Sequence, residues 1–297
     1  MLVGVTALIF FVLRALPGSP VVLLTQGDPG ITQAQIRHIE DNYGLNKPLL
    51  VQYGTFIWHA LQGNFGVSYL TKEPVMSSIG AQAGATVELT AAAVVLTGVI
   101  GIGGGLLAAM FRDTWVDSSL RVLSLFGSAM PLFWTGVLLI LVFSFTWRLF
   151  PSSGSGTFSE LVLPAFSLAL AGSGLLVRLV RNSMLDVMGQ EFVTALRAKG
   201  LPEYQVLVRH VLRNALVPAV TVLGVQIGAL LAGAVVTETV FTRQGLGSML
   251  VQAVQNKDYP TVQALVLIIA TVYVIVNILV DISYAYLDPR VRTTLTK

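Results

Sequence analysis

The sequence predicts an all-α integral membrane protein with six transmembrane helices. Hydrophobic residues make up 54% of the 297-residue chain and charged residues only 11%, whereas soluble domains carry about 25% charged residues. A second observation is a set of long uncharged runs, since a span needs roughly 20 apolar residues. The predicted spans are Leu2–Leu16, Leu89–Phe111, Val122–Trp147, Leu161–Val177, Asn214–Thr237 and Tyr259–Val280.

The first predicted span is short and is followed by Pro17, Gly18 and Pro20, which cannot continue a helix. The alternative is a cleaved signal peptide, but no basic residue precedes the apolar run and no small-residue cleavage site follows it. We therefore expect a true first span at residues 1–16, shortened by trimming or by a late start codon.

Positive charges are unevenly divided between the two sides that six spans define. The two sets of loops are 112–121, 178–213 and 281–297 on one side, and 17–88, 148–160 and 238–258 on the other. The first set holds eleven Lys and Arg residues, and the longer second set holds six. The positive-inside rule places the first set and both termini in the cytoplasm.

The sequence also divides the chain into segments. Residues 17–84 form a predicted extracytoplasmic segment, in which a helix from Thr32 to Gly44 is expected. A second, amphipathic helix follows, with apolar residues at Leu50, Tyr53, Ile57 and Leu61. We expect it to lie on the membrane surface, with contact to a partner as the alternative. The five-helix core is 85–284, and 285–297 is a cytoplasmic tail.

The most informative stretch is EFVTALRAKGLPEYQVLVRHVLRNALVP, residues 191–218, which carries charges between two apolar spans. Glu191 and Lys199 match the dipole of a short helix, and Phe192, Ala195 and Leu196 share an apolar face of that helix. Gly200 can adopt the left-handed conformation that ends a helix.

A second short helix is predicted after this turn, because Pro202 is tolerated in a first helical turn. Arg209 and Arg213 face outward from it. Its inward face contains Val206, Leu207, Val211, Leu212 and Leu216. Two short helices at a fixed angle, each joined to a span, form a unit that can transmit a push.

This loop resembles the EAA loop of bacterial ABC-importer permeases, and more closely that of the B-type permease subunits of dipeptide and oligopeptide transporters. Similar motifs recur in order along nearly the whole chain: FFVLRALPGSP, YGLNKPLLVQYGTFIWHALQGNFGVSY, LVLPAFSLAL and the C-terminal third from ETVFTRQGLGSML. The resemblance implies a type I ABC importer permease fold, an external helical segment between spans one and two, and a place in the bacterial inner membrane. It implies half of a translocation pore for di- and oligopeptides.

The resemblance also implies partners: a second homologous permease, two ATPase subunits or one fused, an extracytoplasmic solute-binding protein, the lipid membrane and a peptide substrate, with no nucleic acid. ATP and Mg are expected in the ATPase subunits, because this chain has no G-x-x-x-x-G-K-[ST]. We therefore expect no enzymatic activity, no catalytic residue and no directly bound cofactor or metal.

The coupling loop, residues 186–216, would dock on an ATPase subunit. The residues implied for that role are Glu191, Ala195, Arg197, Lys199, Gly200, Glu203, Arg209 and Arg213. The chain departs from the family pattern at Thr194, where the acidic residue of the EAA triplet is missing. Glu191 or Glu203 is expected to supply that carboxylate.

Four polar residues in or beside the spans are candidates for a translocation path or its rim: Glu88, Gln226, Glu238 and Asn277. Acids near lipid are costly and often functional. For Glu88 and Glu238 the alternative is structural pairing at a hydrated external interface. For Gln226 and Asn277 the alternative is hydrogen bonding between helices.

Two further features have structural and functional interpretations. Gly101 and Gly105 are four residues apart in a span, which favours close helix packing over nucleotide binding. The external stretches TRQGLGSML and NKDYP either contact a solute-binding protein or pack within the protein. Nickel, glutathione or another small solute is the alternative substrate, and a stand-alone secondary transporter or channel is the alternative class.

Overall fold

The computed structural model describes residues 1–15, 34, 37, 44 and 46–287, and their regular structure is helical. The helices are α1 (Leu2–Ala15), α2 (Leu49–Leu61), α3 (Val75–Met110), α4 (Trp115–Ala129), α5 (Leu132–Leu139), α6 (Phe158–Met188), α7 (Glu191–Ala198), α8 (Glu203–Gln205), α9 (Leu212–Val240), α10 (Leu246–Gln255) and α11 (Tyr259–Leu287). Two π-helical segments follow α5 and α8, at Ile140–Thr146 and Val206–Val211. Most of the predicted helix Thr32–Gly44 lies outside the described residues.

Among the described residues, four helices are long and apolar enough to cross a membrane, which confirms the second, fourth, fifth and sixth predicted spans. They are Val75–Met110, Phe158–Met188, Glu203–Val240 and Tyr259–Val280. The apolar α1 has 14 residues, so it extends about 21 Å, less than the roughly 30 Å of a hydrocarbon core. A complete first span therefore stays a prediction.

The predicted third span, Val122–Trp147, is not one straight helix. The chain bends by 112° between α4 and the helix formed by α5 and its extension to Thr146. Pro131 causes the break, because it has no N–H for the helix ladder and disfavours helical backbone at the preceding residue. Met130 is accordingly extended, with φ −72° and ψ 134°.

The chain forms two compact units. Unit 1 comprises Met1–Thr86 and Gln244–Val274. Within it, the Tyr53 hydroxyl of α2 lies 3.0 Å from the Thr6 hydroxyl of α1. Helix α2 is formed as predicted and has no buried residue. Leu50 and Leu61 are exposed, whereas Tyr53 and Phe56 are partly buried and contact the ring of Phe10 in α1.

A buried carboxylate, that of Asp258, joins the two sequence segments of unit 1. Asp258, which is 2% exposed, accepts hydrogen bonds from the Ser68 hydroxyl, the Tyr69 N–H and the Thr261 hydroxyl at 2.5, 2.9 and 2.7 Å. Asp258 belongs to the NKDYP stretch, so for this residue packing within the protein is the correct interpretation.

Unit 2 comprises Val87–Arg243 and Ile275–Lys297. Its helices α3, α6 and α9 enclose an apolar cluster that includes Leu89, Leu168 and Leu230. Gly105 allows α3 to approach α6, since a Cβ at this glycine would lie only 2.5 Å from the Cβ of Val180. A Cβ at Gly101 would likewise overlap Leu176. The predicted packing role of the two glycines is confirmed.

Candidate functional site

The loop between α6 and α9 is a folded structure with a defined turn. Helix α7 ends at Ala198, and Gly200 has φ +81°, the predicted left-handed conformation. The Gly200 N–H donates to the carbonyl of Arg197 and the Leu201 N–H to that of Leu196, at 2.9 and 3.4 Å. These two bonds form a Schellman motif.

An ion pair connects the residues on either side of this turn. Arg197 Nε and Nη2 donate to the two carboxylate oxygens of Glu203 at 3.0 and 2.7 Å. This bidentate hydrogen bonding raises the pKa of the Arg197 guanidinium above its ordinary value. Both side chains are substantially exposed, so the pair orients the two arms of the loop more than it stabilises the protein.

The inward face of α7 differs from the prediction. Val193 is fully buried, whereas Phe192 is 37% exposed and Ala195 is exposed as well. Leu196 is partly buried against the same cluster as Val193. The predicted apolar face of Phe192, Ala195 and Leu196 is therefore not the side of α7 that packs most deeply, because helical spacing alone allowed either side to face inward.

The cluster beneath α7 connects the loop to the long helices. Its buried members include Met184 and Val187 of α6, and Val206 and Val211 of the π-helical segment. The inward positions predicted after the turn are confirmed, with Val206, Leu207 and Val211 buried and Leu212 and Leu216 packed against the cluster. Helix α7 is therefore joined to α6 and α9 by one set of apolar contacts.

The second arm is not a separate short helix, contrary to the prediction. Residues Glu203–Val240 form one continuous helix with a π-helical segment at Val206–Val211. The second arm, α8 with the π-helical segment, therefore runs directly into α9. Consequently the second arm of the loop is continuous with a long apolar helix.

The outer surface of the loop is polar with two exposed aromatic residues. The predicted residues Glu191, Ala195, Arg197, Lys199, Gly200, Glu203, Arg209 and Arg213 are all exposed. Phe192 and Tyr204, the latter 66% exposed, belong to the same surface and were missed as outward residues. In the sequence, each of these aromatic residues directly follows a glutamate of the loop, and this pattern could have indicated that they face outward.

The opposite end of the unit 2 helices holds a partly buried ion pair. Arg243 Nη2 donates to Glu88 Oε2 at 2.5 Å. The Arg243 side chain is 1% exposed and that of Glu88 is 55% exposed. Sequence reasoning placed Arg243 only in an external loop, because its partner lies 155 positions earlier.

Glu238 is 0% exposed, so the expected hydration of this acid at an external interface is wrong. Glu88 is exposed as expected and is paired with Arg243. The burial of Arg243 also gives the TRQGLGSML stretch a packing role at this position.

Gln226 and Asn277 are both partly buried. Gln226 Oε1 lies 2.8 Å from the position a Cβ would take at Gly172, close to Thr97 of α3. Within the described part of the chain, this oxygen is buried and accepts no hydrogen bond. The expected hydrogen bonding between helices is therefore absent at this atom.

Long apolar helices joined by a folded, charged loop define a multi-span membrane protein. The chain belongs to the family of binding-protein-dependent transport system inner membrane components, whose family model matches residues 101–293. It is 37% identical over 321 residues to the dipeptide transport system permease protein DppB of Escherichia coli (strain K12), covering 98% of this chain and 94% of that protein.

Solved structures share the fold at low sequence identity. An inward-facing structure of the MetNI methionine ABC transporter matches with a TM-score of 0.61 and 18% identity, covering 72% of this chain and 97% of that one. A crystal structure of an amino acid ABC transporter with histidines matches with a TM-score of 0.54 and 14% identity, covering 71% and 94%. The chain is thus an inner-membrane permease subunit with the type I ABC importer fold, and is not itself an ATPase.

Proposed function

We propose that this permease forms half of a translocation pore for di- and oligopeptides. The observation that carries the substrate class is the 37% identity to a dipeptide permease along 98% of the chain. The other half of the pore is a second, homologous permease. An extracytoplasmic binding protein delivers the peptide, and two ATPase subunits, which hold ATP and Mg, supply the free energy.

The loop surface is the proposed docking site for an ATPase subunit. Three observations support this role: the defined turn at Gly200, the ion pair between Arg197 and Glu203, and the exposure of Phe192 and Tyr204. Exposed aromatic and arginine side chains are the residue types that anchor protein interfaces. Because the inner face of the loop packs on α6 and α9, closure of the ATPases would move both helices.

The solute path is proposed to pass the polar residues of unit 2. Glu88 is held in place by buried Arg243 while it remains half exposed, so it presents a fixed carboxylate, with its charge balanced by Arg243, at one end of the helices. Gln226, Glu238 and Asn277 are proposed to line or support the same path. A peptide backbone needs such polar partners, since an unsatisfied amide in an apolar region costs free energy.

Reconstitution tests the function. The chain is tagged, extracted in mild detergent with its natural partners and placed in proteoliposomes. We expect a second permease and ATPase subunits to co-purify, and ATP hydrolysis to rise with binding protein loaded with dipeptide. Stimulation by nickel or glutathione instead of peptides would contradict the substrate class. Transport by the isolated chain without ATP would overturn the importer mechanism.

Orientation is tested with a single cysteine, since the natural chain has none. Gln205→Cys lies on the exposed side of the loop. We expect a membrane-impermeant maleimide to label it in inverted vesicles and not in intact cells, because the loop side is cytoplasmic by the positive-inside rule. Labelling of intact cells would contradict the proposed orientation of the loop and of both termini.

A further inference from the structure

A cavity of about 320 Å³ lies beside the bend between α4 and α5. We call it the bend groove. Its walls are mainly apolar and come from α3, α4, α5 and α6, including Gly104, Leu123, Phe126, Leu170 and Val177. Leu123 and Phe126 are 66% and 58% exposed. In a membrane protein, an apolar groove of this kind can accommodate a hydrocarbon chain or another helix.

Charge is concentrated at the loop end of the bend groove. The carboxylate of Asp117, 0% exposed, accepts hydrogen bonds from Arg181 Nε and Nη2 at 2.6 and 2.7 Å. Arg121, 48% exposed, lies 3.3 Å from the same carboxylate. Arg178 Nη1 donates to the carbonyl of Ser124, a residue of the groove wall, at 3.2 Å. Two guanidinium groups, those of Arg181 and Arg121, therefore share the one carboxylate of Asp117, and the third, that of Arg178, binds the carbonyl of Ser124.

This arrangement leaves positive charge that the described residues do not neutralise. Arg181 donates hydrogen bonds to both carboxylate oxygens of Asp117, while the side chain of Arg121 is half exposed to solvent. Arg178 uses only Nη1 among the hydrogen bonds of the described residues, although a guanidinium has five N–H donors. An anion at this end of the groove would find donors from Arg121 and Arg178.

We propose that the bend groove binds an anionic phospholipid, with one acyl chain against Leu123 and Phe126 and the phosphate at Arg121 and Arg178. The apolar walls select a hydrocarbon chain, and the excess of arginine at one end selects a negative headgroup. Basic pockets between membrane helices bind anionic headgroups by the same attraction. A protein helix would fill the walls but would not complement this charge.

Photolabelling in the assembled importer tests the proposal. The complex is reconstituted in phosphatidylcholine vesicles with a tracer of phosphatidylglycerol that carries a diazirine in its acyl chain, and in parallel with the matching phosphatidylcholine probe. Adducts are mapped by mass spectrometry. We expect phosphatidylglycerol adducts to exceed phosphatidylcholine adducts several-fold in segments 120–127 and 170–177.

Matched variants separate charge from shape. Arg121→Gln should reduce phosphatidylglycerol labelling about fivefold, the effect of one cation near an anionic headgroup. Arg112→Gln removes the same charge from an arginine paired with Asp113 and should leave labelling unchanged. Leu123→Trp should reduce adducts of both probes by filling the groove, whereas Leu125→Trp, on the same helix outside the groove wall, should not. Co-purification with the partners verifies folding.

Two results would overturn the proposal. Equal labelling by both probes, unaffected by Arg121→Gln, would mean that the groove contacts bulk lipid without selection. Adducts that form on the isolated chain but not on the assembled importer would mean that a partner subunit covers the bend groove.

Discussion

Replacing Gly200 by valine would test whether the loop turn couples ATP hydrolysis to transport. Gly200 has φ +81°, and no atom lies within 4 Å of the position its Cβ would take. The substitution therefore creates no collision. Its effect comes from the backbone conformation alone, which a β-branched residue adopts poorly.

The magnitude follows from that conformation. A left-handed backbone disfavours a residue with a Cβ by about 1–2 kcal/mol, which corresponds to a shift of roughly 5- to 30-fold in an equilibrium constant. We expect this shift to populate loop conformations in which the Schellman bonds of Gly200 and Leu201 are broken. The apolar contacts of Val193 hold the loop in place but do not define the turn.

The assay compares solute uptake with ATP hydrolysis in proteoliposomes of the whole importer. Gly200→Val should lower uptake per ATP hydrolysed while the complex still assembles, and Gly200→Asn should be milder because asparagine tolerates this region. Gly63→Val is the matched control, since Gly63 has φ +74° and equally open space but lies in the segment between α2 and α3. Its uptake per ATP should stay normal.

Normal uptake per ATP in Gly200→Val would refute the coupling role of the turn. An equal loss in Gly63→Val would refute it as well, because the defect would then follow from backbone strain anywhere in the chain.

Two further predictions concern stability, measured by thermal unfolding in detergent. Asp117→Asn should destabilise the protein by about 3 kcal/mol, because a buried ion pair loses one partner. Asp113→Asn, at 75% exposure, should change the stability little. Equal effects would contradict a stabilising role for the ion pair that joins Asp117 of α4 to Arg181 of α6. Gly105→Ala should destabilise by about 1–3 kcal/mol through overpacking against Val180. Gly103→Ala, which has open space, should be neutral or stabilising, and a similar loss from both would contradict close packing at Gly105.

Local signals in the sequence predicted many elements of the fold. The uncharged runs predicted four long helices that the structure contains, and Gly200 followed by Pro202 marked the turn of the loop. These features depend on residue type and on spacing within a few turns, which a sequence displays directly. The missing P-loop likewise needs no structure to recognise.

Other features required the tertiary structure. Periodicity could not decide that Val193 rather than Phe192 faces inward, since α7 has only two turns and apolar residues on more than one side. The 112° bend had a local signal in Pro131, but its angle depends on packing around α5.

The sequence by itself determined the class of protein, the long helices and the position of the coupling loop, because hydrophobicity and helix-ending residues act over short stretches of chain. Only the tertiary structure decided which charges meet. Glu88 pairs with Arg243 and Asp117 with Arg181 across 155 and 64 positions. Partners so far apart are selected by the three-dimensional approach of their helices, which no local pattern records.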